Sequence, residues 1–124
     1  MAGKKILVAD DNQKILDNLV KKLKDNNYEV LAFTNGIDAI ENCRIFNPDL
    51  IILDIVMRDV DGYTVARTLR EDRVSAGIPV IFVTSQELEC GFIREKISEI
   101  GLCDFMNKAC AFEELLAKIK EKIG

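Results

Sequence analysis

Three aspartates, a threonine and a lysine are the side chains of this sequence that could carry out chemistry together: Asp10, Asp11, Asp54, Thr84 and Lys108. Carboxylates that share one crevice repel each other, and burial raises the cost of keeping them charged. Their pKa values must then rise, or a cation must bind. Because the candidate ligands are oxygens, with neither histidine nor thiolate, the pattern favours a hard ion such as Mg²⁺ or Mn²⁺ over zinc.

Phosphoryl transfer is the chemistry that these side chains could perform. Asp54 follows the apolar run 50–53 and is placed to attack phosphorus as a nucleophile, which would give an aspartyl phosphate. Lys108 would balance the charge of the phosphoryl group, and the Thr84 hydroxyl could donate a hydrogen bond to it. Each residue alone has a simpler explanation, such as a helix cap, a turn or a solvated charge. The prediction therefore depends on elements that bring the residues together.

Short apolar runs alternate with stretches of helical periodicity along the chain. The predicted strands are 5–9, 28–33, 50–53, 79–83 and 103–106, and the predicted helices are 12–26, 36–46, 63–74, 87–100 and 112–123. Asn12 is the expected N-cap of the first helix, and Gly101 is the expected C-cap of the fourth. The apolar stripes place Ile15 and Ile37 among the inward side chains of the first two helices.

Five strand–helix units predict an α/β fold, with a parallel sheet covered by helices on both faces. The flavodoxin-like strand order 2-1-3-4-5, a (βα)5 three-layer sandwich, is the common five-stranded solution. Strands 1 and 3 are then neighbours, and a ligand site is expected at their carboxyl ends. Each of the five candidate residues follows or ends a strand, so all of them should lie on this edge of the sheet.

The composition limits the classes of protein that the chain can belong to. It has 124 residues, 17 basic and 21 acidic, and a formal net charge of −4, which argues against a nucleic-acid-binding module. There is no histidine, which excludes Ser-His-Asp and Cys-His nucleophiles, histidine-bearing zinc sites and a phosphohistidine carrier in this chain. We expect one domain spanning residues 1–124.

The cysteines and the N-terminus indicate a reduced, cytoplasmic location. No two of the four cysteines are spaced as a CxxC motif. We expect all four to fill space in the core: Cys43, Cys90, Cys103 and Cys110. The opening MAGKKILVADD reaches acidic residues too soon for a signal peptide. No apolar run approaches the length of a membrane span.

Four motifs resemble those of the receiver domains of bacterial two-component response regulators, and the chemotaxis-type receivers in particular. They are ILVADDN, DLIILDIVMRDVDGYTV, PVIFVTS and DFMNK, and the similarity runs from Lys5 to Ile123. The resemblance implies that Asp10 and Asp11 hold Mg²⁺, that Asp54 accepts the phosphoryl group, and that Thr84 and Lys108 contact it.

The same resemblance implies two further site residues and the partners of the chain. Val56 would offer its backbone carbonyl as the third protein ligand of the metal, and Phe105 would be the aromatic switch. The donor would be a phosphohistidine on a separate histidine kinase or phosphotransfer protein, which explains the missing histidine. Phosphorylation would shift a surface made of helix 4, strand 5 and helix 5 between two states. A downstream protein or output domain would recognise this surface. No direct nucleic-acid contact and no membrane insertion are expected. The chain would be no enzyme beyond promoting its own phosphorylation and dephosphorylation, and would be a monomer or a phosphorylation-dependent dimer.

Three departures from the family pattern affect the site. Met57 is followed by Arg58 rather than proline, which should loosen a turn and add a cation near the site. Lys108 is followed by Ala109 rather than proline; a cis bond there would cost about 3–4 kcal/mol, so the bond is either strained or trans with Lys108 displaced. The segment between Thr84 and Lys108 is longer than usual, and we expect the extra length near residues 87–91.

Three alternatives remain open at this point. The chain could be a receiver module of a longer regulator or hybrid kinase. It could be a small Mg²⁺-dependent phosphatase with an Asp54 nucleophile, although Val56 stands where such enzymes typically have a second carboxylate. A flavin-binding electron carrier shares the fold, but no phosphate loop rich in Ser, Thr and Gly follows the first strand.

Overall fold

The computed structural model describes residues 3–84 and 90–124, with Cys90 described by its backbone alone. Strands and helices alternate along these ranges, as predicted. The strands are β1 (Lys5–Ala9), β2 (Glu29–Phe33), β3 (Leu50–Asp54), β4 (Val80–Thr84) and β5 (Cys103–Asn107). The helices are α1 (Gln13–Asp25), α2 (Gly36–Phe46), α3 (Gly62–Glu71), α4 (Cys90–Ile100) and α5 (Phe112–Ile123).

The strands form one parallel sheet in the order β2-β1-β3-β4-β5, which confirms the predicted flavodoxin-like topology. β3 lies at the centre, and all five of its residues are buried. A strand covered on both faces has no exposed side, so its run of Leu and Ile needs no polar alternation. The central strand therefore delivers Asp54, its last residue, to a buried position.

Two hydrophobic cores lie on opposite faces of the sheet, because successive side chains of a strand point to opposite faces. Ile6 and Val8 of β1 pack into the core formed with α1 and α5. Leu7 and Ala9 pack into the other core, which includes buried side chains of α2 and α3. Full burial of a Leu or Ile side chain contributes roughly 1.5–3 kcal/mol relative to exposure, so these two cores stabilise the fold.

Two side chains expected to point inward are exposed, so the predicted helix faces were wrong at these positions. Ile15 is 39% exposed and borders a groove of about 310 Å³ between α1 and α5. Ile37 is 48% exposed, because the inward face of α2 carries Ala39 and Cys43 instead. A single apolar residue in the first turn does not identify which face of a helix is buried. Small residues such as Ala and Cys can form the buried face instead.

The helix ends show which capping predictions hold. The Asn12 side chain caps α1, and Gly101 follows α4 in the left-handed conformation with φ +82°, so both predicted caps are confirmed. α3 ends at Glu71, before the predicted residue 74. Asp72 has extended backbone angles and its carboxylate accepts a hydrogen bond from the Val74 N–H, and this local bond replaces the next helical turn.

Some expectations concern residues outside the described ranges. The predicted start of the fourth helix at residue 87 and most of the expected extra length near 87–91 fall on residues 85–89, and the described part of α4 begins at Cys90.

Of the cysteines, Cys43 is buried as predicted, whereas Cys103 and Cys110 are only half-buried. Among the helices that the structure describes, none is long and apolar enough to cross a membrane.

Candidate functional site

The candidate residues lie along one edge of the sheet, because parallel strands present their carboxyl ends on the same side. Asp10 directly follows β1, Asp54 ends β3 and Thr84 ends β4. Lys108 directly follows β5, whose last residue Asn107 pairs with Thr84 in the ladder. Four strands therefore deliver these side chains to the switch point between β1 and β3, where open α/β sheets place their ligands.

Three carboxylates form an acidic cluster at this edge: Asp10, Asp11 and Asp54 each offer one oxygen within 4.8 Å of the others. Asp10 and Asp54 are buried, and Asp11 is half-buried. All of the donors are oxygens, which suits the hard cations Mg²⁺ and Mn²⁺. The residues that the sequence nominated as side-chain ligands therefore fit a divalent ion by chemistry and by proximity.

Lys108 places its ammonium between two of the carboxylates. Its Nζ lies 2.7 Å from Oδ2 of Asp10 and 3.2 Å from Oδ2 of Asp54, and its side chain is 11% exposed. Burial alone would lower the pKa of Lys108, but hydrogen bonds and attraction from Asp10 and Asp54 outweigh burial and raise it. Lys108 is therefore firmly protonated and neutralises part of the cluster.

The Lys108–Ala109 peptide is trans, since the described residues contain no cis bond. The expectation that a trans bond would displace Lys108 was wrong. The Lys108 N–H donates to the Thr84 carbonyl oxygen at 2.8 Å, and the Ala109 N–H donates to Oδ1 of Asn107 at 2.8 Å. These two bonds hold the turn after β5, so the long lysine side chain reaches the cluster without a cis peptide.

The pKa of the Asp54 carboxyl is raised above its ordinary value. Burial raises the pKa of Asp54, the nearby Lys108 lowers it and the nearby Asp10 raises it, and the net change is upward. Its Oδ1 accepts a hydrogen bond of 3.4 Å from the Val56 N–H. Val56 itself is 48% exposed, and the role of its carbonyl stays a prediction.

A second cation reaches the cluster from the loop after β3. Arg58 lies where the family usually has proline, and its Nε lies 4.0 Å from Oδ2 of Asp11. The Arg58 side chain is 88% exposed, and that of Asp11 is 28% exposed. The expected cation near the site is therefore present, and it contacts the one carboxylate for which the structure shows no Lys108 ion pair.

The two predicted switch residues lie in neighbouring strands. Thr84 is 3% exposed at the end of β4. Phe105 is half-buried in β5, where it pairs with Phe82 of β4 and lies 5.9 Å below the guanidinium of Arg94 in α4. These positions are compatible with a switch that links the site to α4, and the switching itself stays a prediction.

Two residues that shape the loop after β3 were not singled out from the sequence. Asp59 accepts hydrogen bonds from the N–H groups of Gly36 and Ile37, at 3.0 and 2.8 Å, and so caps α2. A Cβ at Gly62 would lie 2.4 Å from the Asp54 carbonyl oxygen, so only glycine allows α3 to begin so close to β3. The sequence did contain a signal for the special role of Gly62, because the Asp61-Gly62 pair directly precedes the predicted helix 63–74.

The fold and the site together define an open α/β protein with a carboxylate–lysine site at the switch point of its sheet. The family model described as response regulator receiver domain matches residues 6–120. The chain therefore belongs to the response regulator receiver domain family, which confirms the resemblance seen in the sequence. Phosphorylation and Mg²⁺ are typical of this family.

Individual relatives give the same result. The chain is 32% identical to the alkaline phosphatase synthesis transcriptional regulatory protein PhoP of Bacillus subtilis, over 95% of this chain and 48% of that protein. It is 35% identical to the DNA-binding dual master transcriptional regulator RpaA of Synechocystis, over 94% of this chain and 47% of that protein. The chain thus spans about half the length of these curated relatives.

A solved structure shows the fold directly. The chemotaxis protein CheY4 of Vibrio cholerae has a TM-score of 0.91 against this chain, with coverage of 98% of this chain and 100% of that one. At 22% identity this similarity concerns the fold. The predicted chemotaxis-receiver-like architecture is therefore confirmed.

Proposed function

We propose that Asp54 accepts a phosphoryl group from a phosphohistidine on a histidine kinase or phosphotransfer protein, and that the chain acts as a signalling switch. The observation that carries this proposal is the position of Asp54. It is a buried carboxylate at the end of the central strand, 3.2 Å from the Lys108 ammonium and within 4.8 Å of two further carboxylates. Family membership supports the same function.

The proposed step is an in-line displacement at phosphorus. A carboxylate oxygen of Asp54 forms a P–O bond, and the P–N bond to the donor histidine breaks with its electron pair returning to the imidazole nitrogen. Lys108 offsets the negative charge of the transferred group, and the Thr84 hydroxyl donates a hydrogen bond to it. Mg²⁺ or Mn²⁺, held by Asp10, Asp11, Asp54 and the Val56 carbonyl, would supply further charge neutralisation for the phosphoryl oxygens.

The raised pKa of Asp54 is relevant to this step, because only the carboxylate form is nucleophilic. The Lys108 ammonium opposes the effect of burial and keeps the carboxylate available. A cation at the acidic cluster would act in the same direction, since an added positive charge favours the ionised form. We therefore expect phosphorylation to require both Lys108 and a divalent ion.

The proposed output is a change of surface. Thr84 moves toward the phosphoryl group and Phe105 turns inward, which shifts the surface formed by α4, β5 and α5 between two states. A downstream protein or output domain reads this surface, and phosphorylation can drive dimerisation of an otherwise monomeric chain. The chain promotes its own phosphorylation and dephosphorylation and turns over no separate substrate.

The context of the chain belongs to the same proposal. We treat residues 1–124 as one receiver domain, either free-standing or as a module of a longer regulator, and the half-length matches to curated relatives are compatible with the second arrangement. Relatives named as transcriptional regulators support a location in the cytoplasm. The reading frame downstream of Gly124 distinguishes the two arrangements.

The test is phosphorylation with acetyl phosphate and Mg²⁺, followed by intact mass spectrometry. We expect a single phosphoryl adduct on the wild-type chain and on Asp25→Asn, a control at an exposed aspartate in the last turn of α1. We expect no adduct on Asp54→Asn. Labelling of Asp54→Asn at the wild-type level would show that the acceptor is wrongly assigned, and repeated hydrolysis of a phosphomonoester would indicate a phosphatase instead.

A further inference from the structure

Two cations divide the three carboxylates of the site between them. The Lys108 ammonium is buried against Asp10 and Asp54, at 2.7 and 3.2 Å. Arg58 contacts Asp11 at 4.0 Å, with a side chain that is 88% exposed. One cation is therefore part of the protein interior, and the other lies at the mouth of the site.

The loop fixes the backbone around Arg58 and leaves its side chain accessible. On one side, Met57 is buried in the core with α2 and α3. On the other side, the Asp59 carboxylate is bound by the N–H groups of Gly36 and Ile37. Arg58 therefore starts from a well-anchored position, while among the residues that the structure describes its guanidinium is held by one long, solvent-exposed ion pair, and such pairs are weak.

The chemistry of a guanidinium suits a second partner at this place. Arginine keeps its charge at all physiological pH values, and its planar fork of N–H donors matches the oxygens of a phosphoryl group. A divalent ion that uses Asp11 as a ligand would repel the guanidinium from its present position. The negative charge of an arriving phosphoryl donor would attract it.

We propose that Arg58 is a mobile phosphoryl-contacting residue that neutralises Asp11 in the metal-free chain and moves to the phosphoryl oxygens of the donor when Asp11 binds a divalent ion. This inference rests on the proposed function, since it assumes that a phosphoryl group reaches Asp54. Arg58 competes with the ion for Asp11 and then assists the anion, so its removal has opposite effects on metal binding and on phosphorylation.

The first measurement concerns metal binding and needs no phosphoryl transfer. The Mg²⁺ concentration at the midpoint of thermal stabilisation is determined for the wild-type chain, for Arg58→Gln, and for Arg67→Gln. Arg67 is an exposed arginine of α3, so its variant makes the same charge change away from the site. We expect the midpoint to fall several-fold in Arg58→Gln and to stay near the wild-type value in Arg67→Gln.

The second measurement is the rate of phosphorylation by acetyl phosphate at saturating Mg²⁺, over a series of salt concentrations. At low salt, we expect the phosphorylation rate of Arg58→Gln to be about tenfold below that of the wild-type chain, because one charge-assisted hydrogen bond is lost. We also expect this rate to depend less on salt concentration than the wild-type rate does. Arg58→Lys keeps the charge without the planar fork, so we expect it to recover the salt dependence and only part of the rate.

The outcomes separate this inference from the function on which it rests. If the wild-type chain is phosphorylated on Asp54 and Arg58→Gln matches Arg67→Gln in either measurement, the dual role of Arg58 is wrong and the proposed function stands. If the wild-type chain takes no phosphoryl group, both proposals are wrong, whatever the Mg²⁺ midpoints. Only a lower midpoint combined with a slower rate supports the role.

Discussion

The Nζ of Lys108 lies 2.7 Å from the Oδ2 of Asp10, closer than to Asp54, the proposed phosphoacceptor. In the structure described here, the lysine therefore acts first as the counter-ion of a proposed metal ligand. All three side chains are nearly buried, at 11% exposure for Lys108 and 6% for each aspartate. Coulombic interactions in such a setting are weakly screened, so the arrangement has consequences for stability as well as for phosphorylation.

Replacing Lys108 by Met should destabilise the metal-free chain. The substitution leaves two buried carboxylates without their cation, and breaking a buried ion pair on one side costs about 3 kcal/mol or more. Urea unfolding without Mg²⁺ measures the loss in the free energy of unfolding. The control is Lys118→Met, which removes a partly exposed pair with Glu121 in α5 and should change stability by less than about 1 kcal/mol. Equal losses in the two variants would contradict the counter-ion role of Lys108.

Mg²⁺ should raise the melting temperature of the wild-type chain by mass action. An ion that binds only the folded state at about 100 times its Kd adds about 2.7 kcal/mol to the free energy of unfolding. Differential scanning fluorimetry over a Mg²⁺ series measures the shift, and Asp11→Asn should reduce it because one ligand oxygen of the cluster loses its charge. A melting temperature that is unchanged at millimolar Mg²⁺ would argue against an assembled metal site.

Gly62→Ala should distort the site, although it adds only a methyl group. A Cβ at this position would lie 2.4 Å from the Asp54 carbonyl oxygen and 3.0 Å from Cα of Ile55, both of which are backbone atoms that cannot easily move. We expect a loss of about 1–3 kcal/mol in urea unfolding, as for other overpacked sites, together with slower phosphorylation of Asp54. Gly77→Ala is the matched control, because no atom of the described residues, apart from Gly77 and its two chain neighbours, lies within 4 Å of a Cβ there. A neutral Gly62→Ala would show that α3 shifts freely against β3.

Asp59 should make stability depend on pH in the acid range. Slight burial would raise the pKa of Asp59, but the N–H groups that donate to it outweigh burial and lower the pKa below its ordinary value. A depressed folded-state pKa means that the stabilisation is complete above the ordinary aspartate pKa, near 4, and is lost as pH falls through the folded value. Asp59→Asn keeps one acceptor oxygen and loses the charge at an exposed site, so at neutral pH it should cost only part of the roughly 1 kcal/mol typical of a lost helix cap.

The measurement is urea unfolding of the wild-type chain and Asp59→Asn between about pH 6 and about pH 3. The difference in the free energy of unfolding between the wild-type chain and Asp59→Asn should become smaller as the pH falls, because the wild-type Asp59 carboxylate becomes protonated. Asp25→Asn makes the same charge change at an exposed position of α1 and serves as the control for the charge change alone. A constant difference across the range would mean that the cap does not depend on the charge of Asp59.

Most of the correct predictions came from the apolar runs of the strands and from the polar residues at their ends. The apolar run before Asp54 identified the central strand, and the order of the elements then brought Asp10, Asp54 and Lys108 to one edge. Ile37 was placed wrongly because helical periodicity cannot tell which of several faces meets the sheet when Ala and Cys fill the contact. The trans turn at Lys108 and the approach of Gly62 to β3 depend on tertiary contacts between distant segments, which local patterns do not encode.

The loop between β3 and α3 is attached at both ends. Met57 is embedded in the core, Asp59 is bound to the first turn of α2, and the Gly62 N–H donates to the Ile55 carbonyl at 2.8 Å. These attachments tie one flank of the site to α2 and to the core, so we expect α2 and α3 to move little when a group is added to Asp54. If Asp54 is the phosphoacceptor, as proposed, we therefore expect the resulting change to spread toward β4 and β5, which gives the signal a direction across the molecule.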